Sequence, residues 1–349
     1  MNLYEKYMKR CFELAEKGFG KVAPNPMVGC VIVYQGKIIG EGYHKKFGGA
    51  HAEVNAINSV ETHTYASLCN ATLYVNIEPC SHFGKTPPCA DLIIKNKINY
   101  VVIGTPDPNS LVAGRGIQKL VSAGCDVKVG VMEAECKELN KRFFTFHEKK
   151  RPCIILKWAQ TKDNYMGIKN EKLKITNKQS TKRVHQWISE EQAIMVGTNT
   201  ALIDNPKLTV RNVKGENPLR VVIDRNLKIP STFHLLDKKV PTIVFTANPK
   251  PSVKNSEYVK VDFKKSVLRQ ILNELYQRNI QSLIVEGGAN LLNSFIRENL
   301  WDEARVFTSN KNLQNKTKGI SSPSISGKTI LKKKIGNDEL TVIFPVGLG

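Results

Sequence analysis

Along residues 3–17, LYEKYMKRCFELAEK, apolar side chains fall at 3, 4, 7, 8, 11, 12, 14 and 15. That spacing predicts an amphipathic helix, and Gly18 is a natural stop. The period then shortens. Residues 28–34 (VGCVIVY), a Gln35-Gly36 turn and residues 37–44 (KIIGEGYH) read as a hairpin. Residues 51–60 predict a helix, 71–77 a strand, 89–97 a helix opened by Pro88, 99–104 a strand, 115–123 a helix and 126–131 a strand. Strands alternating with helices predict an α/β layered domain over residues 1–150.

Arg151-Pro152 opens a second segment, residues 151–349. Strands are predicted at 152–160, 192–197, 218–224, 241–247, 281–286 and 305–309. Helices are predicted at 177–190, 266–278 and 289–299. Gly and Lys over 311–334 predict a mobile excursion before a last strand at 339–345. The expectation is a second α/β domain.

Composition narrows the class. The chain has 349 residues, 41% hydrophobic, with a formal net charge of +21. It is long enough for two cores without a disulfide framework. No apolar stretch reaches membrane-spanning length. Residues 1–17 mix charges into the helix, which argues against a secretory signal and for the cytoplasm. The eight cysteines then read as free thiols, and Cys11, Cys30, Cys69, Cys125, Cys136 and Cys153 as small buried hydrophobes. Residues 1–150 carry 19 basic and 14 acidic side chains, and residues 151–349 carry 33 and 17. The lysines are scattered except at Lys332-Lys333-Lys334, so the excess reads as solvated surface or a site for phosphorylated small molecules rather than for nucleic acid.

Two cysteines stand apart. His51 and Glu53 open one predicted helix, Cys80 follows a strand in Glu78-Pro79-Cys80, and Cys89 starts another helix. His nitrogen and Cys thiolate are zinc donors, and a helix N-terminus favours the thiolate. Three protein ligands, His51, Cys80 and Cys89, leave a fourth position for water, which zinc acidifies. Glu53 lies two residues from His51 and fits the role of proton shuttle. A structural zinc would take a fourth ligand from Cys69 or His82, and neither sits on a recognised pair spacing. The His-x-Glu and Pro-Cys elements match the nucleobase-deaminase signature, but eight residues separate Cys80 from Cys89 rather than two.

The stretch from Pro24 to Val33, then His51-Ala-Glu, then EPCSHFGKTPPC over 78–89, then Asp107-Pro-Asn and Gly114-Arg-Gly116, resembles the deaminase half of the bifunctional RibD family of riboflavin biosynthesis. The resemblance implies a cytidine-deaminase-like three-layer αβα domain. It also implies a substrate, a diaminopyrimidine bearing a phosphoribosylamino group, that loses a ring amino group as ammonia. It places Asn25, His44, His82, Lys85, Asp107 and Asn109 along the substrate pocket, with Lys85 offering a point charge to the phosphate. Phe83 stands where a second histidine is frequent.

Residues 151–349 contain neither G-x-G-x-x-G nor G-x-x-x-x-G-K-[ST]. They contain a predicted strand ending at Glu286, then Gly287-Gly288, then a helix, a geometry that lets a phosphate approach the backbone. Residues 157–163, Ile175-Thr176, 193–200, 204–211 and 218–224 resemble the reductase half of the same family. That implies a dihydrofolate-reductase-like α/β fold and NADPH-dependent reduction of the ribosyl group to ribityl. It places Thr200, Asp204, Gly287 and Gly288 at the cofactor, and Leu208, Arg211 and Glu286 at the ribose or its phosphate. Lys157 is a further polar candidate. The sequence departs from the family at Lys174 (usually Trp), Ile188 (usually a substrate-binding Arg) and Asn164 (usually Gly). A missing phosphate-binding arginine costs about 1.5–3 kcal/mol, and Lys172, Lys174 and Lys182 are the nearby compensating charges.

The expectation is thus a two-domain enzyme using one zinc per chain and NADPH on a phosphorylated pyrimidine, as a cytoplasmic homo-oligomer (dimer or tetramer) with no nucleic-acid or membrane partner. Three alternatives are a deaminase with an impaired reductase domain, a nucleic-acid deaminase and a zinc-bearing RNA-binding protein.

Overall fold

The first helix forms over the predicted stretch because its end is well capped. In α1 (Leu3–Glu16) the Asn2 side chain accepts the Glu5 N–H, and the Glu5 carboxylate accepts the Asn2 N–H. It opens a computed structural model that describes residues 2–61, 68–83, 87–171, 173–313 and 316–346. The chain separates into two units, Met1–Lys150 and Arg151–Gly349.

In the first unit follow β1 (Gly29–Tyr34), β2 (Lys37–Tyr43), α2 (Ala52–Asn58), β3 (Thr72–Val75), α3 (Cys89–Lys95), β4 (Tyr100–Ile103), α4 (Arg115–Ser122), β5 (Asp126–Val129), α5 (Glu133–Leu139) and α6 (Lys141–Lys149). The sheet order is β2-β1-β3-β4-β5. β1 runs antiparallel to β2 and β3, and β3, β4 and β5 are mutually parallel. The period-two pattern of β1 explains the layering. Val31 and Val33 face Met8, Cys11 and Leu14 of α1. Cys30 and Ile32 face Ala56 of α2, Ile93 of α3 and Leu120 of α4. Helices therefore cover both faces, giving three αβα layers. Of the six cysteines expected inside, Cys11, Cys30, Cys136 and Cys153 are buried, whereas Cys69 and Cys125 are partly exposed.

The second unit adds β6 (Cys153–Gln160), β7 (Tyr165–Ile168), α7 (Lys178–Glu190), β8 (Ala193–Gly197), α8 (Thr198–Asp204), β9 (Leu219–Ile223), β10 (Thr242–Thr246), β11 (Ser256–Lys260), α9 (Val267–Gln277), β12 (Ser282–Val285), α10 (Ala289–Arg297), β13 (Glu303–Thr308), β14 (Gly319–Ser321), β15 (Lys328–Ile335) and β16 (Asp338–Phe344). Nine strands form one sheet in the order β11-β10-β9-β8-β12-β6-β13-β16-β15. It is parallel from β11 to β13, and β16 and β15 are antiparallel additions. One face packs on Leu268, Ile271 and Leu275 of α9 and Phe295 of α10. The other packs on Val184, Trp187 and Ile188 of α7.

The expected mobile excursion over 311–334 is corrected here. Its second half forms the edge strand β15, whose Lys332, Lys333 and Lys334 pair in register with Thr341, Leu340 and Glu339 of β16. Nearly all of β15 is exposed, so it lacks the apolar alternation by which a strand is recognised. Edge lysines also discourage pairing with foreign strands.

Arg220 in β9 is fully buried. It donates to Thr242 Oγ1 (2.9 Å), His234 O (2.6 Å), Val240 O (2.8 Å) and Asp237 Oδ1 (2.9 Å), binding the 234–242 connection to the sheet. Removing it strands these acceptors. Arg220→Ala is expected to destabilise the unit by about 3–5 kcal/mol, read as a lowered urea midpoint; an unchanged midpoint contradicts this account.

Candidate functional site

In the first unit, the strand β1–β2 hairpin sets the position of α2. A Cβ at Gly42 would lie 2.4 Å from Ala52 O and 2.3 Å from Ala56 N, so only glycine lets the helix sit this close. That seats His51, the N-cap residue of α2. Cys89 is the first residue of α3, and Cys80 lies in the turn after β3. His51 Nδ1 is 3.5 Å from Cys80 Sγ and 3.3 Å from Cys89 Sγ. The three donor atoms lie within 4.8 Å of one another. A tetrahedral zinc with Zn–S of about 2.3 Å and Zn–N of about 2.0 Å separates its ligands by about 3.5 Å. The donor set and its spacing fit zinc, and no fourth His, Cys, Asp or Glu joins the cluster among the described residues.

The electrostatics suit a metal site. The Cys80 thiol is pulled down, to about 4, first by the hydrogen bond from the Cys89 thiol, against the cost of burial, then by His51 and the Cys89 N–H. Cys89 is pushed up by the same pairing and by its burial. Glu53 is buried beside them, 3% exposed, and its carboxyl is in hydrogen-bond contact with the Cys89 thiol. Burial pushes it up to about 7, with Cys80 adding and His51 opposing. A carboxyl that changes protonation near neutrality is suited to carry a proton.

Four of the expected pocket residues are held by hydrogen bonds. His44 is buried, its Nδ1 3.0 Å from Ala50 O and its Nε2 3.2 Å from Asn25 Nδ2. Burial lowers it, and a neutral ring donating from Nδ1 and accepting at Nε2 satisfies both contacts. Its ring lies 5.4 Å from that of His51, so Asn25 and His44 are brought to the metal ligands. Asp107 Oδ1 accepts the Asn109 N–H at 2.7 Å. Burial, opposed by that N–H and aided by Glu78 and Cys80, pushes Asp107 up to about 7. His82 and Phe83 are exposed. Lys85 lies outside the described residues, as does Lys172.

In the second unit a cleft of about 900 Å³ opens where β8, β9 and β12 end, within the size range of small-molecule sites and at the strand ends where α/β sheets bind ligands. Lys157, Thr200, Asp204, Glu286, Gly287 and Gly288 all line it. Gly288 is the uncapped N-cap of α10. A Cβ at Gly287 would meet Leu291 at 2.7 Å, and one at Gly288 would meet Thr200 Oγ1 at 3.2 Å. Bare backbone amides, a helix N-terminus and a hydroxyl thus share one wall, which fits the pyrophosphate of a dinucleotide. Lys157 Nζ is 3.3 Å from Glu286 Oε1, a buried atom with no hydrogen-bond partner among the described residues.

Two expected residues are not on that wall. Leu208 is 6% exposed and packs in the core beside Val184 and Ile188, at a positive φ of 47°. Arg211 is exposed in the irregular 205–217 segment, near enough to the buried His185 to act on it. An apolar side chain there gains more from the core than from a polar cleft. Ile188 is likewise core, while Lys174 lines the cleft. Asn164 adopts φ 63°, the left-handed conformation that explains the usual glycine and that asparagine tolerates.

Two residues escaped the sequence reading. His185 of α7 is 5% exposed, and its Nδ1 has no hydrogen-bond partner among the described residues. Burial lowers it, with Arg211 and Lys157 acting in the same sense and Glu286 opposing. A histidine on the apolar face of a helix gives no sequence signal of such a neighbourhood. The other is Glu78, quoted in the motif but given no role.

The comparisons with known proteins agree with this geometry. Residues 1–105 match the cytidine and deoxycytidylate deaminase zinc-binding region, and residues 152–317 match the RibD C-terminal domain. The chain is 42% identical to the riboflavin biosynthesis protein RibD of Aquifex aeolicus over 97% of this chain and 98% of that one. It is 40% identical to that of Actinobacillus pleuropneumoniae, over 82% and 78%. A Thermotoga maritima structure described as a diaminohydroxyphosphoribosylaminopyrimidine deaminase/5-amino-6-(5-phosphoribosylamino)uracil reductase superposes with a TM-score of 0.89 at 38% identity, covering 99% of both chains. From the two matched regions and the full-length relatives, the chain belongs to the RibD family of riboflavin biosynthesis proteins.

Proposed function

We propose that the chain carries out two successive steps of riboflavin biosynthesis. Residues 1–150 hydrolytically deaminate 2,5-diamino-6-(5-phosphoribosylamino)pyrimidin-4(3H)-one, and residues 151–349 reduce the ribosyl side chain of the product to ribityl with NADPH. The observation that carries this reading is the convergence of His51 Nδ1 and the Cys80 and Cys89 sulfurs, with the buried Glu53 carboxyl against them.

His51, Cys80 and Cys89 would hold zinc, which would supply the Lewis acidity that makes water nucleophilic near neutral pH. Glu53 carries one proton from the attacking water to a ring nitrogen, and a second from the hydroxyl so formed to the amine, which leaves as ammonia. Asn25, fixed by His44, and the Asp107–Asn109 turn offer amide and carboxyl groups to the ring edge and ribose. Lys85 is assigned to the phosphate. Thr200, Asp204, Gly287 and Gly288 would hold NADPH, which would supply the hydride for the second step. Lys157 and Glu286 face the same cleft and orient the sugar, and Lys174 offers the charge that Ile188 cannot. Arg211, which acts on the buried His185 together with Lys157 and Glu286 of the cleft, is assigned with Leu208 to the ribose or its phosphate.

An impaired reductase is not favoured: the matched region spans 152–317, and the cofactor candidates line one cleft. No helix among the described residues is long and apolar enough to cross a membrane; a cytoplasmic location belongs to the same proposal and rests on the chain's family of biosynthetic enzymes. A homo-oligomer, dimer or tetramer, is part of the same proposal.

Glu53→Gln is expected to keep about one zinc per chain while ammonia release falls by about a hundred-fold or more, measured by metal analysis and an ammonia assay; retained turnover removes Glu53 from the proton path. Lys157→Met is expected to leave deamination intact while NADPH oxidation with the deaminated substrate falls about ten-fold or more, the scale of one charge-assisted contact. Equal loss of both activities contradicts the assignment of Lys157 to the second site.

A further inference from the structure

Glu78 is a carboxylate, 3% exposed, that forms no ion pair among the described residues. Its charge is met by backbone. Oε2 accepts the N–H groups of Asp107 (3.1 Å) and Gly114 (2.9 Å), and Oε1 accepts those of Gly116 (2.8 Å) and Ile117 (3.2 Å). Its own N–H donates to Thr105 O at 3.0 Å. The four donors come from the turn after β4 and the start of α4. The N-cap of α4 is Gly114, at φ 84°, which has no side chain to cap with. Arg115, its first residue, places a positive charge at the positive end of the helix. Glu78 therefore supplies from another segment both the cap and the opposing charge that α4 lacks. The approach is close: a Cβ at Gly116 would stand 2.0 Å from Pro79 O.

Residue 78 is two positions from the metal ligand Cys80, and the segment it grips carries Asp107 and, through the Asp107 carboxyl, Asn109. One side chain thus sets the spacing between a metal ligand and one wall of the substrate pocket. We propose that Glu78 is a positioning residue of the deaminase: it holds the Asp107–Asn109 wall in register with Cys80 so that the pyrimidine ring is presented to the metal in a single pose. It rests on the deaminase reading above. Glu78 moves no proton, because both oxygens are occupied by amide N–H groups.

A glutamine has one acceptor oxygen, and its amide NH2 faces N–H donors, so at least two of the four contacts are lost. In the full-length zinc enzyme, Glu78→Gln is expected to raise KM for the diaminopyrimidine about ten-fold or more. kcat is expected to stay within a few-fold, zinc near one per chain, and NADPH oxidation by the other half of the same chain unchanged. Glu78→Asp, which keeps both oxygens but draws them back, is expected to raise KM less, and it carries the test if the glutamine variant does not fold. A wild-type KM in either folded variant, or a loss of zinc and kcat with KM unaltered, overturns the positioning role. Wild-type enzyme that releases no ammonia from the pyrimidine removes the deaminase reading itself, a result distinct from a silent Glu78 variant in an active enzyme.

Discussion

Three donor atoms from distant parts of the chain must meet at one point, and most of the first unit is organised to make them do so. His51 caps α2, Cys89 begins α3, and Cys80 hangs from the turn after β3. Each placement depends on the layered sheet: Gly42 lets α2 lie against β2, and the apolar positions of α3 lie over the same face as Cys30 and Ile32. The same convergence excludes water from Glu53, so the ligand geometry and the proton-carrying carboxyl have one cause.

The second unit solves a different problem with a parallel sheet. A pyrophosphate needs bare amides and an unobstructed helix N-terminus, and Gly287 and Gly288 provide them where β12 ends. The two chemistries need incompatible surroundings, a small buried metal pocket for hydrolysis and a long cleft for a dinucleotide. Placing them on separate cores lets each be shaped independently.

Much of this was legible in the sequence, for physical reasons particular to each element. Continuous apolar runs marked β1, β6, β8 and β12, because burial on both faces forces such runs. The metal ligands were readable because soft donors at helix starts have few other uses. Apart from α6, with its buried Phe143, Phe144 and Phe146, the segments missed were those with weak patterns. β7 and β11 are short and only partly buried, and β15 lies in solvent at an edge. α5 is mostly charged with only Cys136 buried, and α8 spans two turns. Leu208 packs in the core at a left-handed backbone position, and a core leucine and a pocket leucine look alike in sequence. Arg220, Glu78 and His185 owe their roles to partners distant in sequence, which no local pattern can announce.

The central claim is a zinc ion held by one imidazole and two thiolates with one position left for water. X-ray absorption at the zinc edge of the purified protein tests it directly. The account predicts two sulfur scatterers at about 2.3 Å and two nitrogen or oxygen scatterers at about 2.0–2.1 Å. A shell with three or more sulfurs, or with none, would contradict it.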